Sequence, residues 1–227
     1  MARSAHALGL VGPNAITRFA EALRERCGDE TTSRVFAEAG LADRLASPPE
    51  TMVAEGEVLA LHRAARALLA RGDYEWVARD AGERTARYIL ANRLPGAVRL
   101  LLRRLPPALA APLLARAIAR HAWTFAGSGR FRVERGPPLA FVLADGPLGG
   151  GLRSDSPACG YFVATFEGLF RALVHPEAEV VERACQAMGA PACVFTVAWP
   201  RGLTRTRPAD RDATWRGRAP AAPPQAR

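Results

Sequence analysis

The chain has 227 residues, of which 49% are hydrophobic and 23% are charged. This balance excludes an intrinsically disordered or fibrous protein and fits one globular domain, alone or with a helical extension. No run of residues approaches the ~20 consecutive apolar residues of a membrane-spanning helix. The N-terminal residues hold a single arginine and a short apolar run, so we expect no signal peptide and a cytoplasmic protein.

The formal net charge is +9, and every one of the 31 basic residues is arginine. Residues 201–227 hold seven of these arginines against two aspartates, so residues 1–200 carry only +4. A basic segment rich in proline and alanine is typical of a solvated, disordered tail. We therefore expect 201–227 to be such a tail and do not expect nucleic-acid binding; contact of the tail with a membrane surface stays open.

The first 120 residues predict a helical part. Apolar residues recur at helical spacing from Ile16 to Cys27, where Gly28 ends the run. Further helices are predicted over 32–39, 58–68 and 74–92, and two more over 94–121 on either side of Pro106-Pro107.

From residue 121 onward the hydrophobic period changes to that of strands. Alternating residues on either side of a Gly-Ser-Gly triplet at 127–129 predict a β-hairpin over 121–133. A strand over 139–143, an amphipathic helix over 162–173, and two strands over 179–186 and 193–199 follow. Helices followed by strand-strand-helix-strand-strand predict an α+β fold with an antiparallel sheet. We expect a helical part (1–120) and an α+β domain (121–200) that together form one compact unit.

Three of the four cysteines cluster in the last third of the sequence in the pattern C-x22-E-x2-C-x7-C, formed by Cys159, Glu182, Cys185 and Cys193. In a cytosolic chain this spacing favours a metal site over a disulfide. Three thiolates and a carboxylate are a closed ligand set suited to zinc, whereas three small core cysteines are the alternative. Since Glu182 and Cys185 are three apart, a regular strand would point them to opposite faces, and a shared site requires a bulge or a strand end.

No motif for holding a reductant is found in the sequence. The glycine-rich segments 127–129 and 145–151 do not lie between a strand and a helix of a βαβ unit, as a dinucleotide-binding loop must. Residue chemistry alone therefore predicts a binding module.

Aromatic residues form a candidate pocket for a small molecule. On the predicted strand at 121–125, alternate side chains share one face, and a stripe of phenylalanines on the following helix could close over them. Ordinary hydrophobic core is the alternative for these residues. His121 could be an axial ligand to the magnesium of a tetrapyrrole, a proton donor or a surface residue. The candidate binding residues are Trp123, Phe125, Phe162, Phe166 and Phe170.

Four segments resemble the bacteriochlorophyll 4-vinyl reductase family over residues 10–200. They are GPNAITRFAEALRER, PPETMVAEGEVLALHR, RHAWTFAGSGRF and CGYFVATFEGLFRALV, the last followed by the C-x7-C pair. The resemblance implies a role in bacteriochlorophyll biosynthesis, in which the 8-vinyl group of a divinyl protochlorophyllide or chlorophyllide becomes an ethyl group. NADPH or another reductant would be required, with His121 or Tyr88 as candidate proton donor. The alternative is a non-catalytic carrier that delivers the divinyl pigment to a separate reductase or to the next enzyme of the pathway.

The last part of this resemblance extends to small-molecule sensor domains in which three cysteines and a glutamate at the same spacing hold zinc. It thus implies a structural zinc at Cys159, Glu182, Cys185 and Cys193. By analogy with such domains we expect a homodimer. Contact with other enzymes of the pathway, and a position at the surface of the photosynthetic membrane, stay open.

Overall fold

The computed structural model describes residues 9–149 and 151–200. The predicted basic tail, 201–227, lies outside these described residues. Among the described residues, no helix combines the length and the apolar character needed to cross a bilayer.

The N-terminal half is helical, as the sequence predicts. Pro106 separates α5 from α6, and Gly28 kinks α1 with a φ of 80° and a ψ of 172°, so both predicted breaks are confirmed. The described α-helices are α1 (Asn14–Glu38), α2 (Ala42–Ala46), α3 (Glu55–Leu68), α4 (Arg71–Asn92), α5 (Gly96–Arg104), α6 (Pro107–Arg120) and α7 (Gly160–Leu173).

The strands form two antiparallel sheets, and the fold is α+β. A two-residue pair joins β1 (Leu10–Val11) to β2 (Val53–Ala54). The main sheet has the order β3-β4-β6-β5, with antiparallel neighbours throughout. Its strands are β3 (Arg130–Glu134), β4 (Leu139–Ala144), β5 (Glu179–Ala184) and β6 (Cys193–Ala198).

Helix α7 lies at the centre of the molecule, between the main sheet and α4. Its Phe166 ring contacts Phe141 of β4 and Phe195 of β6, with centroids 4.9 and 5.6 Å apart. On its other side the Thr165 hydroxyl donates to the carbonyl of Gly82 on α4. Since neighbours cover α7 on both sides, nearly every residue of this helix is buried, as expected of a helix that is apolar all round.

The predicted strand at 121–125 is wrong. Helix α6 continues to Arg120, and residues Ala122–Thr124 form a 3-10 turn. Distant partners satisfy the polar groups of this segment: the Thr124 carbonyl accepts from the Gly12 amide, and Glu55 accepts from Ser128. Strand β3 therefore pairs with β4, and His121, Trp123 and Phe125 do not share a strand face.

Candidate metal centre

The four residues singled out by the cysteine pattern meet in one buried cluster. Cys159 is the N-cap of α7, Glu182 lies on β5, and Cys193 begins β6. Cys185 follows the end of β5 and precedes a 3-10 turn. One ligand atom from each residue can be chosen so that all four atoms lie within 4.8 Å of one another.

A β-bulge brings Glu182 and Cys185 to the same site. The register of β5 against β6 shifts between Glu182, which pairs with Phe195, and Ala184, which pairs with Val194. The extra residue reverses the alternation of side chains and bends the strand. The irregularity that a shared site requires is therefore present at this position.

The donor atoms fit a tetrahedral metal ion. Cys159 Sγ and Cys193 Sγ are 3.4 Å apart, close to the ~3.8 Å between two sulfurs that are each about 2.3 Å from a shared tetrahedral centre. Glu182 Oε1 is fully buried and has no hydrogen-bond partner among the described residues. A buried carboxylate oxygen without a partner is costly unless a cation or donor meets it. The cluster is therefore compatible with a bound metal.

Backbone amides add partial positive charge around the donor atoms. The amide of Ala158 donates to Cys185 Sγ at 3.4 Å, and that of Gln186 donates to Cys193 Sγ at 3.3 Å. The Cys159 amide, at the N-terminus of α7, donates to Glu182 Oε2 at 3.1 Å. Such donors and the helix dipole favour anionic ligands. The sequence pattern gives no sign of these donors, because they depend on backbone conformation.

The same contacts separate the proton affinities of the four groups. Hydrogen bonds from the thiols of Cys159 and Cys193 lower the pKa of Cys185 below its ordinary value. Donation to Cys185 raises the pKa of Cys159, and burial together with the neighbouring Cys185 raises the pKa of Glu182 to about 8. In the absence of a cation the cluster therefore holds few negative charges, and a divalent metal would bind by displacing protons.

The site connects elements that are far apart in sequence and leaves no open position. Its three cysteines are buried, and together the ligands join the start of α7 to both strands of the β5–β6 hairpin. A site closed by four protein ligands acts structurally, because substrate or water has no coordination position. We therefore interpret it as a cross-link between helix and sheet.

Comparisons with known proteins place this geometry in a family. Residues 141–198, from β4 to the end of β6, match the V-4-R (vinyl-4-reductase) domain. The chain is 44% identical to the bacteriochlorophyll synthase 23 kDa chain of Cereibacter sphaeroides over 192 residues, which cover 85% of this chain and 91% of that one. The chain belongs to the bacteriochlorophyll synthase 23 kDa chain family.

Two further comparisons extend this result. The family member from Rhodobacter capsulatus is 40% identical over 203 residues, which cover 87% of this chain and 91% of the relative. Among solved structures, an H-NOX protein from K. algicida matches with a TM-score of 0.57 and 13% identity, covering 86% of this chain and all of the other. At that identity the likeness concerns the fold alone.

The aromatic residues of the predicted pocket lie mainly inside the core of this family member. Phe162, Phe166 and Phe170 are buried on α7, where Phe170 packs against Phe141 of β4. Phe125 is half-buried, and its ring centroid lies 6.1 Å from that of Phe162 and 5.9 Å from that of Phe166. Trp123 is half-buried in the 3-10 turn. The structure thus brings Phe125, Phe162 and Phe166 together; their role in binding stays a prediction.

The two candidate proton donors lie on separate elements. His121 is exposed at the C-terminus of α6, where its Nδ1 is 2.8 Å from the Ala117 carbonyl oxygen. The half-buried Tyr88 ring on α4 lies beneath the guanidinium groups of Arg18 and Arg93, at 5.3 and 5.7 Å. A catalytic role for either residue stays a prediction.

A cavity of about 420 Å³ lies elsewhere, between α6 and the β3–β4 hairpin. Its walls are mostly apolar, and two arginines, Arg116 and Arg135, stand at its edge. No sequence motif marks it, because its lining comes from three elements. The apolar lining residues are Pro112, Ala115, Ala119, Val133 and Leu139.

Proposed function

We propose that this protein acts in bacteriochlorophyll biosynthesis and binds the divinyl tetrapyrrole whose 8-vinyl group is reduced to an ethyl group. The observation that carries the proposal is the 44% identity to a curated bacteriochlorophyll synthase 23 kDa chain along 91% of that relative. The resemblance to vinyl reductases supports a second candidate, in which the protein itself catalyses the reduction with NADPH or another donor.

Two places on the molecule suit a flat, apolar pigment that carries carboxylates. Beside Trp123 and Phe125, a pigment would stack on half-buried aromatic rings, but it would reach Phe162 and Phe166 only after Phe125 moves aside. The cavity between α6 and the β3–β4 hairpin needs no such movement, and its two arginines suit carboxylate groups.

The bound metal is proposed to be zinc. Three thiolates and one carboxylate, closed and buried, are a ligand set that zinc occupies in structural sites. A bound zinc would hold α7 against the β5–β6 hairpin and so keep the core in shape beside the pigment.

The decisive experiment mixes purified protein with divinyl protochlorophyllide under anaerobic conditions, with and without NADPH. Absorbance reports binding, and chromatography separates the divinyl pigment from a monovinyl product. We expect a saturable change in the pigment spectrum. Monovinyl product that requires both protein and NADPH would establish the reductase, and unchanged pigment would support the carrier. The absence of both a spectral change and a product would contradict the proposal.

Two substitutions locate the pigment. If it stacks on the aromatic rings, Trp123→Ala raises its Kd about tenfold or more with a smaller effect on Tm. Trp76→Ala, a half-buried tryptophan on α4, is the matched control. If the pigment occupies the cavity, Arg135→Gln weakens binding and Trp123→Ala does not. Equal losses of binding and Tm in Trp123→Ala would show that this residue belongs to the core.

A further inference from the structure

Exposed aliphatic side chains are concentrated on α5 and α6. Val98, Leu100, Leu101, Leu109 and Leu113 are between 40 and 57% exposed, and they make up five of the eight large hydrophobic residues exposed in the described part of the chain. Single exposed leucines are ordinary in globular proteins, but a group of them on consecutive helices marks an interaction site. We call these five residues the leucine patch.

The leucine patch is not part of the folding core. On the same two helices, Leu102, Ala110, Leu114 and Ile118 are buried and pack inward. The helices therefore carry apolar side chains on a second face, which burial against the rest of the protein does not explain.

The surroundings of the leucine patch are strongly and uniformly basic. Residues 84–133 contain ten arginines and no aspartate or glutamate, whereas the rest of residues 1–200 contains fourteen arginines and twenty acidic residues. On α5 and α6 themselves lie Arg99, Arg103, Arg104, Arg116 and Arg120.

These helix arginines are not used in ion pairs. None of the five occurs in an ion pair within residues 9–149 and 151–200. By contrast, Arg84, also within the acid-free stretch, pairs with Asp80 at 2.5 Å. The charges around the leucine patch thus remain available to an anionic partner.

We propose that the surface formed by α5 and α6 docks on an anionic lipid bilayer. The leucine patch enters the boundary between headgroups and acyl chains, and the arginines contact lipid phosphates, the usual arrangement for a helix lying in the interface. This assigns membrane contact to the folded body of the protein and not to its basic tail.

Charge and chemistry disfavour the other occupants. A second copy docking through the same surface would place arginines against arginines, and the tail carries the same sign, with seven arginines against two aspartates. Nucleic acid would use the arginines but would leave the exposed leucines in water. A bilayer of anionic lipids satisfies both kinds of side chain at once.

The test is co-sedimentation of the full chain with vesicles of phosphatidylcholine alone or mixed with phosphatidylglycerol. We expect binding to the anionic vesicles only, weakening as salt is raised. Leu100→Ser with Leu101→Ser and Leu109→Ser should abolish most of this binding. Arg104→Gln with Arg120→Gln should lower the partition coefficient about twentyfold, since each arginine near an anionic surface contributes roughly fivefold.

Matched variants separate this surface from others. Met188→Ser removes an equally exposed apolar side chain from a different surface, and Arg205→Gln with Arg207→Gln removes two tail charges. Both controls should bind as the wild type does, and a thermal melt checks that every variant is folded. The proposal is overturned if the full chain fails to bind anionic vesicles or binds both kinds equally. It also fails if the helix variants bind normally, or if the tail variant alone loses binding.

Discussion

Gly82 of α4 lies directly against the backbone of Tyr161 on α7. A Cβ atom at position 82 would be 2.2 Å from the Tyr161 carbonyl oxygen, and Thr165, one turn along α7, donates to the Gly82 carbonyl at 3.1 Å. The missing side chain therefore lets two helix backbones approach closely. Because Cys159 caps the same end of α7, this approach also sets the position of the metal cluster.

The close approach predicts that Gly82→Ala destabilises the protein. The added methyl group meets backbone and not a flexible side chain, so the helices must separate, at a cost of about 2–3 kcal/mol. For a protein of this size that lowers Tm by about 5–10 °C. Gly72→Ala is the control, because a Cβ there meets nothing within 4 Å. If the two variants melt alike, the close approach has no energetic weight.

Local pattern was sufficient to predict most elements of the fold. Helical periodicity and the breaks at Gly28 and Pro106 depend on residues near one another in sequence, and both breaks are present. The metal cluster also followed from local features, because its spacing and the conflict between Glu182 and Cys185 together demanded an irregular strand. The bulge in β5 is that irregularity.

The segment around residue 123 could not be predicted in the same way. Its alternating aromatic residues favour a strand, but Glu55, more than seventy residues earlier, accepts from both the amide and the hydroxyl of Ser128, at 2.8 and 2.6 Å. At Gly127 a Cβ would lie 1.9 Å from Glu55 Oε2. Long-range contacts of this kind override local propensity and leave no periodic signal.

Removing a thiolate tests the metal directly. Cys185→Ser should eliminate stoichiometric zinc from the purified protein and lower Tm by about 5 °C or more, because metal-binding energy contributes to folding. Cys27→Ser is the control, since Cys27 is half-buried on α1, away from the cluster. Elemental analysis and a thermal melt provide the readouts. Wild-type protein that contains no metal and melts at the same temperature as Cys185→Ser would eliminate the assignment.

The carboxylate can be tested separately from the thiolates. Glu182→Gln keeps the size of the side chain and an oxygen that can accept from the Cys159 amide, but it replaces the anionic ligand with a neutral one. We expect zinc affinity, measured by competition with a chelator, to fall at least about tenfold. Glu179→Gln, an exposed position on the same strand, should leave it unchanged. Wild-type affinity in Glu182→Gln would mean that Glu182 only holds the Cys159 amide.

A buried histidine should make stability depend on pH. His62 on α3 is buried, with Nδ1 2.9 Å from the Tyr74 hydroxyl and its ring 4.5 Å from that of Phe19. Burial, with a smaller contribution from Arg66, lowers the pKa of His62 to about 3. In the unfolded chain the pKa of histidine is about 6.5. The unfolded state therefore binds more protons between these two values.

The stability that follows from neutral His62 is complete above pH 6.5 and is lost as the pH falls from 6.5 toward 3. Between pH 7 and pH 5 the loss amounts to about 2 kcal/mol. His62→Phe removes the titration, so its unfolding free energy should fall less over this interval than that of the wild type. Tyr74→Phe breaks the same hydrogen bond but keeps the histidine, and it should retain the wild-type slope. Carboxylates and the metal cluster respond to acid in all three proteins, so the difference in slope isolates His62. Equal slopes in the wild type and His62→Phe would show that this histidine is not held neutral by burial.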